Sequence, residues 1–355
     1  MTTDAHIWPK GAVPHERVAE GMRITTAPIL RSAGRWAHRL GLAPGLARDL
    51  WTATEDVDVC VMQGLWTVPV ALASRIAAWR GVPYIVSARG TLEDYAMAEK
   101  ALKKRLYGWL VASGTLRRAA AVHFTSDLEL ERSRSLIGGT KGVVVPNAFE
   151  ARPLEPRRGD LLRARLGVPA DSRLVAMAGR IHPRKGFGVI VPALALCSPT
   201  THLIVIGSDH ERNLPAVLDL AVASGVRERV HVLGHMEPGD LHRTYASIDL
   251  LALPSRGENF GNVIIEALAQ GTPVMISDQI PLAPYVTSHG FGTVLTSLDP
   301  ASWARAVDSW FDSAPPFDRE NAARRVARDF DLGASGARWM EILAEVAKVH
   351  SASRS

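Results

Sequence analysis

Two carboxylates, Glu258 and Glu266, flank the stretch N-F-G-N-V-I-I between them. On one continuous helix they would stand about 12 Å apart along the axis and roughly 80° apart around it, and would share no ligand. Gly257 and Gly261 suggest a different arrangement, with Glu258 in a loop and Glu266 inside the helix that follows. The backbone N–H groups of Phe260, Gly261, Asn262 and Val263 would then be the unpaired donors of a first helical turn, with the positive end of the helix dipole behind them. Such a site suits an anion, a phosphate in particular. Taken alone, the two glutamates read equally as solvated surface acids. A second stretch upstream, Gly179-Arg180-Ile181-His182-Pro183-Arg184-Lys185-Gly186, sets fixed cations beside glycines that let a backbone approach a ligand. It follows an apolar strand, at the sheet edge where open α/β sheets bind ligands.

The elements that must position these residues alternate along the chain. Ile248–Leu253 reads as a strand and Pro254–Gly261 as a loop. Val263, Ile264, Ala267 and Leu268 then recur at helical spacing, and Gly271 and Pro273 close the helix. Before this unit the pattern predicts strands over 174–178, 202–206 and 230–233, with helices over 187–196, 216–223 and 241–246. A strand over 292–295 and helices over 302–311, 319–328 and 335–349 follow it. The first part of the chain predicts strands over 57–62, 83–87, 120–125 and 142–145, and helices over 69–79, 96–116 and 128–136. The stretch 18–50 offers helix-like pieces broken by Pro28, Gly34, Gly41 and Pro44. This alternation is that of two parallel α/β sheets. The Pro- and charge-rich stretch 148–160 is the linker candidate, dividing the chain into residues 1–150, residues 151–330 and a C-terminal helix over 331–355.

A chain of 355 residues is long enough for two domains, and 47% hydrophobic with 22% charged residues is a globular composition. Cys60 and Cys197 stand alone, which makes a reducing, cytoplasmic setting the default. No apolar run is long enough to span a bilayer. The net charge of +5 belongs to the first half, where residues 1–150 carry 19 Lys and Arg against 14 Asp and Glu. That surplus suits an anionic membrane surface, as does the helix 96–116, with Trp109 among Lys100, Lys103 and Lys104. The same helix reads equally as a core-facing stripe with a solvated basic back. His202, His231 and His242 lack metal-like spacing, and the scattered arginines with few aromatics between them argue against a nucleic-acid surface.

The segment E-N-F-G-N-V-I-I-E-A-L-A-Q-G-T-P-V, with G-R-I-H-P-R-K-G upstream of it, resembles the E-x7-E and G-R-x-x-x-x-K-G signatures of glycosyltransferase family 4. The resemblance runs from about Val57 to the C-terminus. It implies a GT-B fold, two Rossmann-like domains facing a cleft, with the C-terminal helix crossing back to the first. It also implies retaining transfer of sugar from a nucleoside diphosphate, UDP- or GDP-linked, without a metal or other cofactor. Arg180 and Lys185 would contact the donor diphosphate and Glu258 the donor sugar. Glu266 would take the ribose hydroxyls, and Leu233-Gly234-His235 would lie near the base. Gln63–Met97 is similar to a subgroup that builds surface polysaccharides, which implies a lipid-linked or glycan acceptor met at the inner membrane face. Arg89 stands where many members carry a histidine facing the donor sugar. By the same resemblance Met1–Ala5 would be the tail of the family's second strand, so the first domain would lack the usual opening strand and Gly-rich turn, as a misplaced start or a truncation would explain. The rival expectations are a nucleotide-sugar epimerase or phosphorylase of the same fold, and a truncated chain that binds nucleotide without transferring anything.

Overall fold

The computed structural model describes residues 45–92, 112–313 and 316–352, together with the backbone of three strands before residue 28. Those strands, β1 (Thr2–Thr3), β2 (Glu16–Ala19) and β3 (Met22–Ala27), form a small sheet in the order β1-β3-β2. They correct the helix-like reading over residues 18–27; residues 28–44 of that stretch lie outside the described residues, and its end is helical from Leu46 as expected. β2 and β3 pair antiparallel with Ala19 opposite Met22, leaving two residues, Glu20 and Gly21, to connect them. A two-residue connection containing glycine is a hairpin signal, and β-branched Val18, Ile24, Thr25 and Thr26 favour strands. The expected helix over 96–116, with Trp109 and its lysines, lies outside the described residues except for its last turns.

The chain divides into two compact units, Met1–Val145 with Gly336–Ser355, and Pro146–Ser335. In the first, β4 (Cys60–Gln63), β5 (Tyr84–Ser87), β6 (Ala121–Phe124) and β7 (Gly142–Val144) make a parallel sheet in that order. Helices α1 (Leu46–Ala53), α2 (Val68–Arg80), α3 (Ser113–Arg117) and α4 (Asp127–Ile137) accompany it. Ser126 caps α4 by accepting from the Glu129 N–H, and buried Glu129 reaches back past it to the N–H and hydroxyl of Thr125. One face of this sheet packs Ile85, Ala121, Val143 and Val145 against Ile342 and Val346 near the C-terminus.

The second unit holds β8 (Arg173–Ala178), β9 (Thr201–Ile206), β10 (Val230–Gly234), β11 (Leu250–Leu253), β12 (Val274–Ser277) and β13 (Gly292–Leu295). All pair in parallel, in the order β10-β9-β8-β11-β12-β13. The chain winds outward from β8 to β10, then returns to start the other half at β11. The helices that follow β8 and β11 pack on opposite faces of the sheet, which makes the carboxyl ends of these two strands the switch point at which open α/β sheets bind ligands. The helices are α5 (Gly159–Leu166), α6 (Phe187–Leu196), α7 (Leu214–Ala223), α8 (Pro238–Ser247), α9 (Asn262–Ala269), α10 (Ala283–His289), α11 (Pro300–Ser313), α12 (Arg319–Asp329) and the start of α13 (Leu332–Ala352). The alternating residues of β8, Leu174 and Ala176 against Val175 and Met177, fill two separate cores, one on each face.

The stretch read as a linker is held to this second unit. Phe149 donates its N–H to Phe330 O, the Glu155 N–H donates to Gln270 Oε1, and Gln270 donates back to Pro153 O. Among the described residues no helix is long and apolar enough to cross a membrane.

Below the sheet, Asp249 ties β8, β11 and α5 together. Its Oδ2 accepts from Arg163 Nη2 at 2.6 Å and from the Leu174 N–H at 2.8 Å, and its Oδ1 accepts from Arg157. Asp249 and Arg163 are only 11% and 12% exposed at their side chains, so removing Asp249 leaves the Arg163 guanidinium without its carboxylate and away from water. Asp249→Ala should destabilise the protein by about 3 kcal/mol, read from the urea midpoint, without touching the residues at the switch point.

Candidate active site at the switch between β8 and β11

The loop after β8 turns at Gly179 (φ +116°) and leaves Arg180 exposed. Ile181 is buried and donates its N–H to Ser208 O. His182 Nδ1 then accepts the Arg184 N–H and caps a 3-10 turn over Pro183–Lys185. Gly186 (φ +86°) starts α6, and a Cβ there would meet Pro254 O at 2.1 Å. That approach brings the β8 and β11 loops into backbone contact, where the Arg256 N–H donates to Arg184 O at 2.9 Å. Arg184 Nη2 in turn donates to Gly257 O at 3.3 Å.

Across this seam lies an ion pair. Lys185 Nζ stands 2.8 Å from Glu258 Oε1, and the same oxygen accepts from Ser255 Oγ at 2.8 Å. Lys185 and Glu258 are 18% and 15% exposed at their side chains. Ser255 is itself buried, its carbonyl accepting from Ser277 Oγ. An ammonium carries three donors, so the bond to Glu258 leaves Lys185 able to serve a second acceptor.

Beside the pair is a hollow of about 180 Å³, lined by Gly179, Arg180, Gly207, His235, Tyr245 and Glu266 among others. Its floor is backbone, because glycines end three neighbouring strands. Gly179 donates its N–H to Ile206 O, and Gly207 donates to Gly234 O at 2.8 Å. At Gly207 (φ +141°) a Cβ would lie 1.8 Å from Gly179 O, so the strands close up only without side chains. Arg180 leans over the rim with its side chain 69% exposed, in a loose ion pair to Glu211 at 3.9 Å. Glu266 projects from α9 and accepts from Tyr245 Oη at 3.2 Å. Burial pushes its carboxyl above the usual carboxylate value, against the opposing effects of the Tyr245 bond and the Lys185 charge. Tyr245 is wholly buried, and burial next to Glu266 pushes its phenol up as well.

The sequence-predicted residues thus fall into several places. Arg180 and Glu266 line the hollow, while Lys185 and Glu258 form the seam beside it. Gly261 (φ +102°) caps α9 and packs close to Ile264, and Asn262 is exposed, accepting from Asn147 Nδ2 at 3.0 Å. The Phe260 side chain is in the core, edge-on to Phe330 at 5.7 Å, so only its backbone is available to a ligand. Leu233 packs toward the core, whereas His235, just beyond it, lines the hollow together with Met236, which also touches that core. Arg89 belongs to the first unit. It holds a strained φ of +45° after β5 and donates from Nε to Gln63 Oε1 at 2.6 Å. Sequence reasoning missed Gly207, Ser255 and Tyr245. Only Gly207 carries a readable signal, a glycine directly after an apolar strand, as at Gly179. Among the described residues no three His, Cys, Asp or Glu gather where a metal ion could sit. His202 and His231 meet at 3.0 Å across β9 and β10, but as a pair.

The profile of the family described as "Glycosyl transferases group 1" matches residues 160–329, and that of the "Glycosyl transferase 4-like domain" matches residues 4–148. The chain belongs to glycosyltransferase family 4. A D-inositol 3-phosphate glycosyltransferase of Xylanimonas cellulosilytica is 33% identical over 190 residues, covering 53% of this chain and 46% of that protein. The enzyme of the same name from Mycobacterium marinum is 36% identical over 157 residues, 43% of this chain and 34% of its own length. The matched stretch thus spans less than half the length of these curated relatives. Two solved structures share the GT-B fold. Anabaena HepE in complex with UDP and glucose superimposes with a TM-score of 0.72 at 22% identity, covering 90% of this chain and 85% of that one. Sucrose-phosphate synthase from Thermosynechococcus elongatus gives 0.75 at 20% identity, covering 95% and 86%.

The half-buried Glu266 carboxyl makes a stability prediction independent of any ligand. Its proton is held more tightly in the folded than in the unfolded chain, so its ionisation weakens the folded state as pH rises through the raised value. Glu266→Gln should therefore melt above the wild type at pH 8, in thermal scans without ligand. The difference should vanish as pH falls below the ordinary value of 4.5, where both side chains are neutral.

Proposed function

We propose that the protein is a retaining glycosyltransferase that moves a sugar from a nucleoside diphosphate to an acceptor hydroxyl. The observation that carries this reading is that Arg180 and Glu266 line one glycine-floored hollow, with the Lys185 ammonium beside it next to Gly179 and the α9 start close by. When the bond from the anomeric carbon to the diphosphate breaks, negative charge grows on the departing phosphate oxygen. Fixed Arg and Lys donors and the first-turn N–H groups of α9 oppose that charge, in the way preorganised donors stabilise oxyanions. Glu266 accepts hydrogen bonds from the ribose hydroxyls. Glu258, oriented by Lys185 and Ser255, faces the donor sugar. UDP is the nucleotide favoured, because the similar HepE binds it.

The acceptor has two candidate classes. The polysaccharide-builder resemblance of Gln63–Met97 supports a lipid-linked glycan met at the inner face of the membrane. The names of the curated relatives support a small phosphorylated polyol. Assays with a polyprenyl-diphosphate sugar and with inositol phosphate, each against a radiolabelled UDP-sugar, separate the two by which product forms. The anomeric configuration of that product, read by NMR, should match the donor.

Arg180 gives the cleanest test of the chemistry, since it is exposed and loosely paired, and its loss costs little stability. Arg180→Ala should keep the wild-type melting temperature and lower the transfer rate by roughly 10²–10³-fold, as removal of one oxyanion donor does. A rate near wild type would remove Arg180 from the diphosphate site. Chelator should leave the rate unchanged, and a loss restored by divalent metal would contradict metal-free transfer.

A further inference from the structure

Glu266 sits in a long, flexible side chain, and nucleotide binding through it requires the carboxylate to be held in one orientation. We infer that Tyr245 is a positioning residue for the nucleotide, its phenol fixing the Glu266 carboxylate so that the free lone pairs face the ribose hydroxyls. The inference rests on the proposed role of Glu266.

The observation behind it is a choice of side chain. Tyr245 is fully buried on α8, in the stripe it shares with Leu241, where a phenylalanine would pack as well. Burying a hydroxyl is unfavourable unless it is hydrogen-bonded. The partner that Oη finds is Glu266 Oε2, 3.2 Å away on a different helix. The tyrosine is anchored at its other end too, because its carbonyl accepts from Thr272 Oγ1 just beyond α9. A ring clamped by packing and by its own backbone thus holds one oxygen of the carboxylate. A carboxylate offers about four acceptor positions, so one bond from Tyr245 leaves the others for a ligand. Lys185 acts on Glu266 by charge from the β8 loop, and Arg180 and His235 line the same hollow. Of these, Tyr245 is the one that donates a hydrogen bond to Glu266, so it sets the direction in which the carboxylate points. The donated bond also favours the ionised carboxylate, the form that accepts from hydroxyls.

The test is calorimetric titration of UDP into the full-length wild type, Tyr245→Phe, Glu266→Gln, the double variant and Thr272→Val, over a pH series. Tyr245→Phe should bind UDP roughly tenfold more weakly, the usual scale of a hydrogen bond to a charged group. The acid limb of its affinity profile should move to higher pH, because the carboxylate has lost the donor that favoured its charge. The double variant should bind no more weakly than Glu266→Gln, since the phenol acts through that carboxylate. Thr272→Val disturbs the same helix contact without touching Glu266, so it should lower the melting temperature and leave both affinity and acid limb in place. Wild-type affinity and acid limb in Tyr245→Phe, with Glu266→Gln weakened, would overturn the inference and leave the proposed function standing. An equal loss in Thr272→Val would overturn it as well, by showing that helix packing alone is at work. Wild-type affinity in Glu266→Gln would instead remove the role on which the inference depends.

Discussion

The ion pair between Lys185 and Glu258 is the constraint on which the site depends. Its two residues come from loops 73 positions apart, after strands that are neighbours in the sheet but separated by two intervening strands in sequence. Both side chains are mostly withdrawn from water, and a pair of that kind adds little net stability over an apolar substitute. What it contributes is direction. With Ser255 on the same carboxylate oxygen and the Arg184–Arg256 and Arg184–Gly257 bonds along the seam, the pair fixes where an ammonium and a carboxylate lie relative to the start of α9. A loop free to move would have to be ordered by the ligand, at the ligand's expense in affinity.

The hollow beside the seam has two electrostatic halves. Arg180 and Lys185 supply positive charge at the end of β8, and Glu266, with Tyr245 behind it, supplies a hydrogen-bond acceptor on the α9 side. An occupant carrying both a diphosphate and neighbouring hydroxyls matches that division. The glycines at 179 and 207 make the approach possible by replacing side chains with backbone at the strand ends. Glu266 is held at a cost to the free protein, since burial opposes its charge. Such a conflict between stability and local chemistry is characteristic of residues retained for binding.

Much of this was legible in the sequence because it depends on local rules. Gly261 followed by a 3.6-residue apolar pattern placed the start of α9, which set Glu258 in the loop and Glu266 in the helix. Gly179 and Gly186 bracketed the cationic loop in the same way. The features that escaped depend on partners far away in the chain. Phe260 reads as part of an anion-binding turn, yet its ring is taken by Phe330 seventy residues on. Leu233 packs toward the core while His235, two positions on, lines the hollow, beyond a register shift between Val232 and Gly234. Tyr245 looks like any aromatic on a buried helical stripe, and nothing local to it announces Glu266 across α8 and α9. The stretch 148–160 has the composition of a linker, but Gln270 and Phe330 supply the backbone partners that hold it.

The most direct measurement is a crystal structure of the protein with uridine diphosphate bound. The diphosphate should lie against Arg180, Lys185 and the N–H groups at the start of α9, with the ribose hydroxyls on Glu266 and the Lys185–Glu258 bond still made. A nucleotide bound elsewhere, or one whose ribose leaves Glu266 untouched, would contradict the arrangement derived from the β8 and β11 loops.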